Sequence, residues 1–178
     1  ANFSVGKDKN LRFIVTKSKG IGKKRNMAVR YCKTKYLAFL DSDAYPKKGW
    51  LESTFKLIKN KSIGIIGGPH IDPPTQNKEE KLIGKVKLSY IITMNANLQK
   101  KVSQQGQFVS FLPSCNWILS RKLFNDLNKM DSKMLRNEDW DFVYSRMNKT
   151  NYKVFYSPKT VVYHENKTIS DFILKRFK

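Results

Sequence analysis

Asp41-Ser42-Asp43 sets two carboxylates two residues apart, at the end of the apolar run Tyr36-Leu37-Ala38-Phe39-Leu40. On an extended chain such a pair projects to one side. The carboxyl end of a buried strand in an open α/β sheet borders the ligand crevice. Two adjacent carboxylates suit a hard divalent ion, and such an ion suits a substrate diphosphate. Aspartates also terminate strands and cap turns, so spacing alone leaves both readings open. A second acidic knot, Asn137-Glu138-Asp139-Trp140-Asp141, lies almost a hundred residues on. Acids in a helix's first turn favour the positive end of its dipole; a carboxylate beside another acid can equally act as a general base. Asn137 serves as the helix cap in either case. His164 follows the apolar run Val161-Val162-Tyr163 and is either an imidazole metal ligand or a hydrogen-bonded structural residue. Lys17, Lys19, Lys23 and Lys24 read as solvated surface, although with Arg25 near a helix start they could attract a diphosphate.

The elements that must position these residues alternate. Residues 11–15 read as a strand, and Gly20-Ile21-Gly22 opens a helix over about residues 23–34. Residues 36–40 form a continuous apolar run, as in a strand buried on both faces. A helix is predicted from Trp50 to about residue 60, then a third buried run, Ile63-Gly64-Ile65-Ile66, ending at Gly67-Gly68-Pro69. Strands alternating with helices imply βαβ crossovers and a parallel sheet core. A proline-rich loop follows over 70–78, and 81–98 has helical apolar spacing. Further strands are predicted over 108–112, 116–119, 154–156 and 161–163. Ser120 caps a helix running to about residue 128, another helix covers 138–148, and 169–177 is a basic amphipathic helix. No repeat, low-complexity tract or linker appears, which predicts a single domain over 1–178.

Composition narrows the classes. The 178 residues carry 35 Lys and Arg against 14 Asp and Glu, a net +21, which points to an anionic partner. Lysines number 28 and arginines only 7; recognition of bases leans on arginine's bidentate fork, and most aromatics fall in apolar runs, so no nucleic-acid partner is expected. The two cysteines, Cys32 and Cys115, are too far apart in sequence for a Cys-x-x-Cys site or a disulfide framework. As ordinary thiols they fit a cytoplasmic setting. No stretch approaches the roughly 18–20 apolar residues of a membrane span, and no signal peptide is apparent. The basic 169–178 segment is either a core-packing helix or a peripheral contact with an anionic membrane face.

Taken in order, the motifs resemble a family 2 glycosyltransferase. The nucleotide-sugar half is carried by Gly22-Lys23-Lys24-Arg25-Asn26-Met27-Ala28, by Tyr36 through Pro46 with its Asp41-Ser42-Asp43, and by Gly49-Trp50-Leu51-Glu52. Resemblance to the acceptor half rests on Ile65-Ile66-Gly67-Gly68-Pro69, Cys115-Asn116-Trp117-Ile118-Leu119-Ser120-Arg121, Glu138-Asp139-Trp140-Asp141, Tyr156-Ser157-Pro158 and Val161-Val162-Tyr163-His164. It implies a GT-A fold, a mixed and mostly parallel sheet flanked by helices, with 1–68 as the donor half and 69–178 as the acceptor half. It further implies a nucleotide-diphosphate sugar donor and a glycan or lipid-linked acceptor. Asp43 would hold Mn²⁺ or Mg²⁺, Asp41 would sit near the ribose or metal, His164 would complete the metal site, and Arg25 would lie near the nucleotide. Asp139 matches the inverting catalytic base with Glu138 as its neighbour; Asn116, Trp117 and Trp140 would line the sugar and acceptor pocket. Two departures stand out. The family's opening strand–helix unit, with its nucleobase contacts, is not recognisable. The usual Gly-Gly-Phe-acid stretch before the acidic helix is replaced by Asn128-Lys129-Met130-Asp131.

Overall fold

The computed structural model describes residues 11–74 and 105–164. Its elements are α1 (Ile21–Tyr31), β1 (Tyr36–Leu40), β2 (Ala44–Pro46), α2 (Trp50–Leu57), β3 (Ile63–Gly67), β4 (His70–Ile71), β5 (Gln107–Val109), β6 (Asn116–Ser120), α3 (Arg121–Asp126), α4 (Glu138–Trp140), β7 (Lys153–Tyr156) and β8 (Val162–His164). After α4 the helix continues as a π-helical turn over Asp141–Arg146 and a 3-10 turn over Met147–Lys149. The expected helices over 81–98 and 169–177 lie outside the described residues.

A five-stranded sheet in the order β1-β6-β3-β7-β5 carries the core. β1, β3 and β7 run one way; β5 and β6 oppose them, and only the β3–β7 pairing is parallel. The sheet is therefore mixed, as expected, but not mostly parallel, since three of its four pairings are antiparallel, and β1 and β3 are not neighbours. β6 inserts between them, so the α2 crossover spans one strand position. The fully apolar β3, buried at every residue, explains why this strand occupies the centre: it can be covered on both faces. A buried cluster runs from Val29, Leu37 and Phe39 through Trp117, Phe124 and Phe142 to Tyr156, joining the early and late parts of the chain in one core.

Residues 11–20 hold no regular structure, which corrects the strand expected over 11–15. Leu11, Phe13 and Val15 are all exposed, so the β-propensity of this segment finds no partner strand among the described residues. Ser120 does cap α3, accepting from the Leu123 N–H at 3.0 Å. Asn137, expected as a cap, makes no side-chain cap bond; it adopts φ 61°, a left-handed conformation asparagine tolerates, and its carbonyl accepts from Asp141 N–H at 3.1 Å.

A second, three-stranded sheet, β2-β8-β4, sits at the ends of the main strands. β2 starts immediately after Asp43 and pairs antiparallel with β8, setting Ala44 opposite His164. That register carries the late histidine to the early aspartates.

Candidate active site

The first acidic knot is a turn. The chain leaves β1 at Leu40 and reverses through 41–44, with Ala44 N–H donating to the Asp41 carbonyl at 3.1 Å. The β2–β8 register then holds His164 Nε2 3.4 Å from Asp43 Oδ1. One ligand atom from each of Asp41, Asp43 and His164 can be chosen so that all three lie within 4.8 Å of one another. Two carboxylates and an imidazole, all partly exposed, are a donor set suited to Mn²⁺ or Mg²⁺.

The second knot reaches the first through Arg25. Its Nη2 donates to Asp41 Oδ1 at 2.8 Å, and its Nη1 to Glu138 Oε1 at 3.3 Å. The same guanidinium donates to Ser114 Oγ at 2.6 Å and to the Ser114 carbonyl at 3.3 Å, and it lies over the Phe39 ring. Glu138 is buried to 4% exposure, so this pairing supplies the compensation that a buried carboxylate requires. The expectation placed Arg25 near the nucleotide; the structure gives its guanidinium to protein acceptors, tying the two acidic knots together. Asn26, next in sequence, clasps the backbone of Met130, donating to its carbonyl at 2.7 Å and accepting from its N–H at 3.1 Å. Gly22 allows the approach: a Cβ there would stand 3.0 Å from Glu138 Cγ and 3.1 Å from Met130 Cβ. Thus the Gly22-to-Asn26 stretch docks α1 onto the acidic helix.

Asp139 accepts at both carboxylate oxygens. Oδ2 takes the Ser114 N–H at 3.2 Å and the Ser114 hydroxyl at 3.1 Å; Oδ1 takes the Trp140 N–H at 2.9 Å. Trp140 stands half-exposed and stacks on Tyr144, with centroids 4.1 Å apart and planes 19° apart; Phe111 lies 5.1 Å from Trp140. These rings form an aromatic shelf beside a shallow hollow lined by Met134, Asn137, Asp141, Tyr144 and Ser145. Asp141 itself is held by Arg146 at 2.8 Å.

Among the described residues, Asn116 and Trp117 are packed into the core and line neither the hollow beside Trp140 nor any open surface, which corrects that expectation. Both are buried, at 2% and 0% exposure. The Asn116 side chain donates to the Thr160 and Gly68 carbonyls and accepts from Trp50 Nε1; Trp117 Nε1 donates to the Leu112 carbonyl. Their motif is a core fastening that fixes β6. Gly67-Gly68 is explained the same way: a Cβ at Gly68 would fall 2.3 Å from the Ser157 carbonyl oxygen, so the close approach is to protein backbone. Cys115, beside them, has its thiol pushed up to about 12, chiefly by burial and then by the negative charge of Asp41. Sequence reasoning missed Ser114, Phe111 and Tyr144. Ser114 precedes the Cys115-to-Arg121 motif directly, and that adjacency was the only available signal.

Residues 1–127 match the sequence pattern described as glycosyl transferase family 2. The chain belongs to glycosyltransferase family 2. As a family 2 chain it is 25% identical, over 160 residues, to the pre-mycofactocin glycosyltransferases of two Mycobacterium tuberculosis strains, CDC 1551 / Oshkosh and H37Rv. The match covers 89% of this chain and 33% of each relative, so the chain spans about a third of the curated relatives' length. Among solved structures it resembles the mannosyltransferase PcManGT from Pyrobaculum calidifontis in complex with GDP-Man and Mn²⁺ (TM-score 0.57, 14% identity, 82% of this chain and 36% of that one). It also resembles S. aureus TarS in complex with UDP-GlcNAc (TM-score 0.57, 17% identity, 88% and 43%). The family 2 chain has the GT-A fold.

Proposed function

We propose that this chain carries a metal-dependent, inverting glycosyl-transfer site that moves a sugar from a nucleotide-diphosphate donor to an acceptor hydroxyl on a glycan or a lipid-linked glycan. The observation that carries the reading is the shared guanidinium. Arg25 bonds Asp41 on one side and Glu138 on the other, so the metal-binding knot and the base-bearing knot belong to one site. The bound structures of PcManGT with GDP-Man and Mn²⁺ and of TarS with UDP-GlcNAc support a nucleotide-sugar donor.

Asp41, Asp43 and His164 would hold Mn²⁺ or Mg²⁺. When bound, the ion supplies positive charge against the diphosphate leaving group. Asp139 accepts the proton of the acceptor hydroxyl while that oxygen forms its bond to the anomeric carbon. The carbon–oxygen bond to the diphosphate breaks with its electron pair departing on the nucleotide, which inverts the anomeric centre. Glu138 and Arg25 fix the helix end that presents Asp139, and the shelf of Trp140 and Tyr144 offers an apolar surface to an acceptor ring. We further read 1–178 as one catalytic unit with donor-binding residues early and acceptor-binding residues late. Peripheral membrane contact through 169–178 rests on the sequence alone. No helix among the described residues is long and apolar enough to cross a membrane.

The test is Asp139→Asn, assayed by nucleotide release and product analysis with UDP- and GDP-sugars and Mn²⁺. Loss of a general base should lower turnover by about 10²–10⁴ while donor affinity, read by calorimetry, stays within about twofold of wild type. Near-normal turnover in Asp139→Asn would remove the base from the account.

A further inference from the structure

We propose that Ser114 is a positioning residue for Asp139: it occupies Oδ2 and leaves Oδ1 as the oxygen that takes the acceptor's proton. This rests on reading Asp139 as the base. The direction of the hydrogen bonds follows from the donor inventory. A guanidinium only donates, so the 2.6 Å contact from Arg25 Nη1 makes the Ser114 hydroxyl an acceptor there. Its single hydrogen is then free for Asp139 Oδ2 at 3.1 Å, and the Ser114 N–H adds a second donor to the same oxygen at 3.2 Å. A carboxylate oxygen has two lone-pair sites, and on Oδ2 both are taken. Among the described residues Oδ1 receives the Trp140 N–H alone and keeps one site open.

Ser114 is 5% exposed, so its hydroxyl is held by protein partners rather than by bulk water. The arrangement also sets a chain of contact from Asp41 through Arg25 and Ser114 to Asp139. The hydroxyl is therefore the joint through which the donor side of the site grips the base. Nothing in the acidic knot itself would supply that grip, because Glu138 faces Arg25 and Asp141 faces Arg146.

Two measurements test this, both on the full chain. The first needs no substrate. The ¹³C carboxyl signal of Asp139, assigned by its loss in Asp139→Asn, is compared in wild type, Ser114→Ala and Ser114→Thr under one set of conditions. The carboxylate carbon responds to the donors on its oxygens, and Ser114→Ala removes the hydroxyl from Oδ2. Ser114→Ala should displace the signal, and Ser114→Thr, which keeps the hydroxyl, should leave it close to wild type. An unmoved signal in all three would overturn the proposal.

The second measurement is turnover of UDP-GlcNAc and GDP-mannose with Mn²⁺. Ser114→Ala should lose roughly 10- to 100-fold in kcat, with the KM for donor held within about twofold and Ser114→Thr restoring most of the rate. If Asp139→Asn is inactive while Ser114→Ala turns over like wild type, the base reading survives and the Ser114 role does not. If Asp139→Asn stays active, the base reading itself has failed. A Ser114→Ala variant that loses donor affinity and thermal stability along with kcat, without rescue by Thr, would mark Ser114 as merely structural.

Discussion

At the scale of single residues, burial decides which polar groups are structural and which are available for chemistry. Asn116 and Trp117 have no polar atom left over, whereas Asp41, Asp43 and His164 remain partly exposed and mutually close. Cys115 gives this contrast a pH signature. The native thiol is pushed up to about 12 from its ordinary value near 9.0, so the sign follows directly. Below pH 9 both folded and unfolded chains hold the proton, and this group's contribution is constant. Between pH 9 and about 12 the unfolded chain releases it while the folded chain does not, so stability falls as pH rises, at about 1.4 kcal/mol per unit. Tyr156, also raised by burial, contributes to the same alkaline decline. Denaturant melts of wild type and Cys115→Ala against pH isolate the cysteine: the difference should be flat below pH 9 and tilt against wild type above it. A parallel pair of curves up to pH 11 would mean the thiol is not buried as described.

At the scale of elements, the docking of α1 onto the acidic helix is the joint that makes one site from two acidic knots. Asn26 is its fastening, bonded to both the N–H and the carbonyl of Met130 in a buried setting. Asn26→Ala leaves both backbone groups without that partner, at roughly 1–3 kcal/mol for each unsatisfied buried group. The variant should melt roughly 4–24 °C lower by calorimetry, and turnover should fall with it as Glu138 loses its register with Arg25. An unchanged melting temperature would show that the clasp contributes nothing. The β2–β8 pairing plays the corresponding role at the first acidic knot, since the Ala44-to-His164 register brings the histidine to Asp43.

At the scale of the whole molecule, the alternation of strands and helices was legible from apolar runs, and 63–66 is satisfied inside a covered sheet. The run 36–40, expected to be buried on both faces, is instead an edge strand that buries Leu37 and Phe39 and exposes Ala38. Strand order was not legible. β6 lies between β1 and β3 because of long-range pairing that no local pattern encodes. The strand expected over 11–15 failed for a related reason: propensity describes fit to a neighbour, and no described neighbour is there. The two acidic knots stood out against a net charge of +21, yet spacing could not tell that one arginine joins them, nor that Ser114 holds Asp139 from 25 residues away. The motif built on Asn116 and Trp117 misled because a recurring pattern around a core fastening reads the same as one around a pocket.

The central claim is that Asp41, Asp43 and His164 form the metal-dependent half of a nucleotide-sugar site. Its most direct measurement is a thermal-shift panel of UDP, GDP, CDP and dTDP with and without Mn²⁺, on wild type and Asp43→Asn. At a hundredfold excess over Kd, a ligand bound only to the folded state adds about 2.7 kcal/mol, or roughly 5–11 °C for a chain of this size. The account predicts such a shift for wild type with one of the nucleotides only when Mn²⁺ is present, and its loss in Asp43→Asn. A nucleotide shift that is indifferent to Mn²⁺ and survives in Asp43→Asn, or no shift with any of the four, would contradict it.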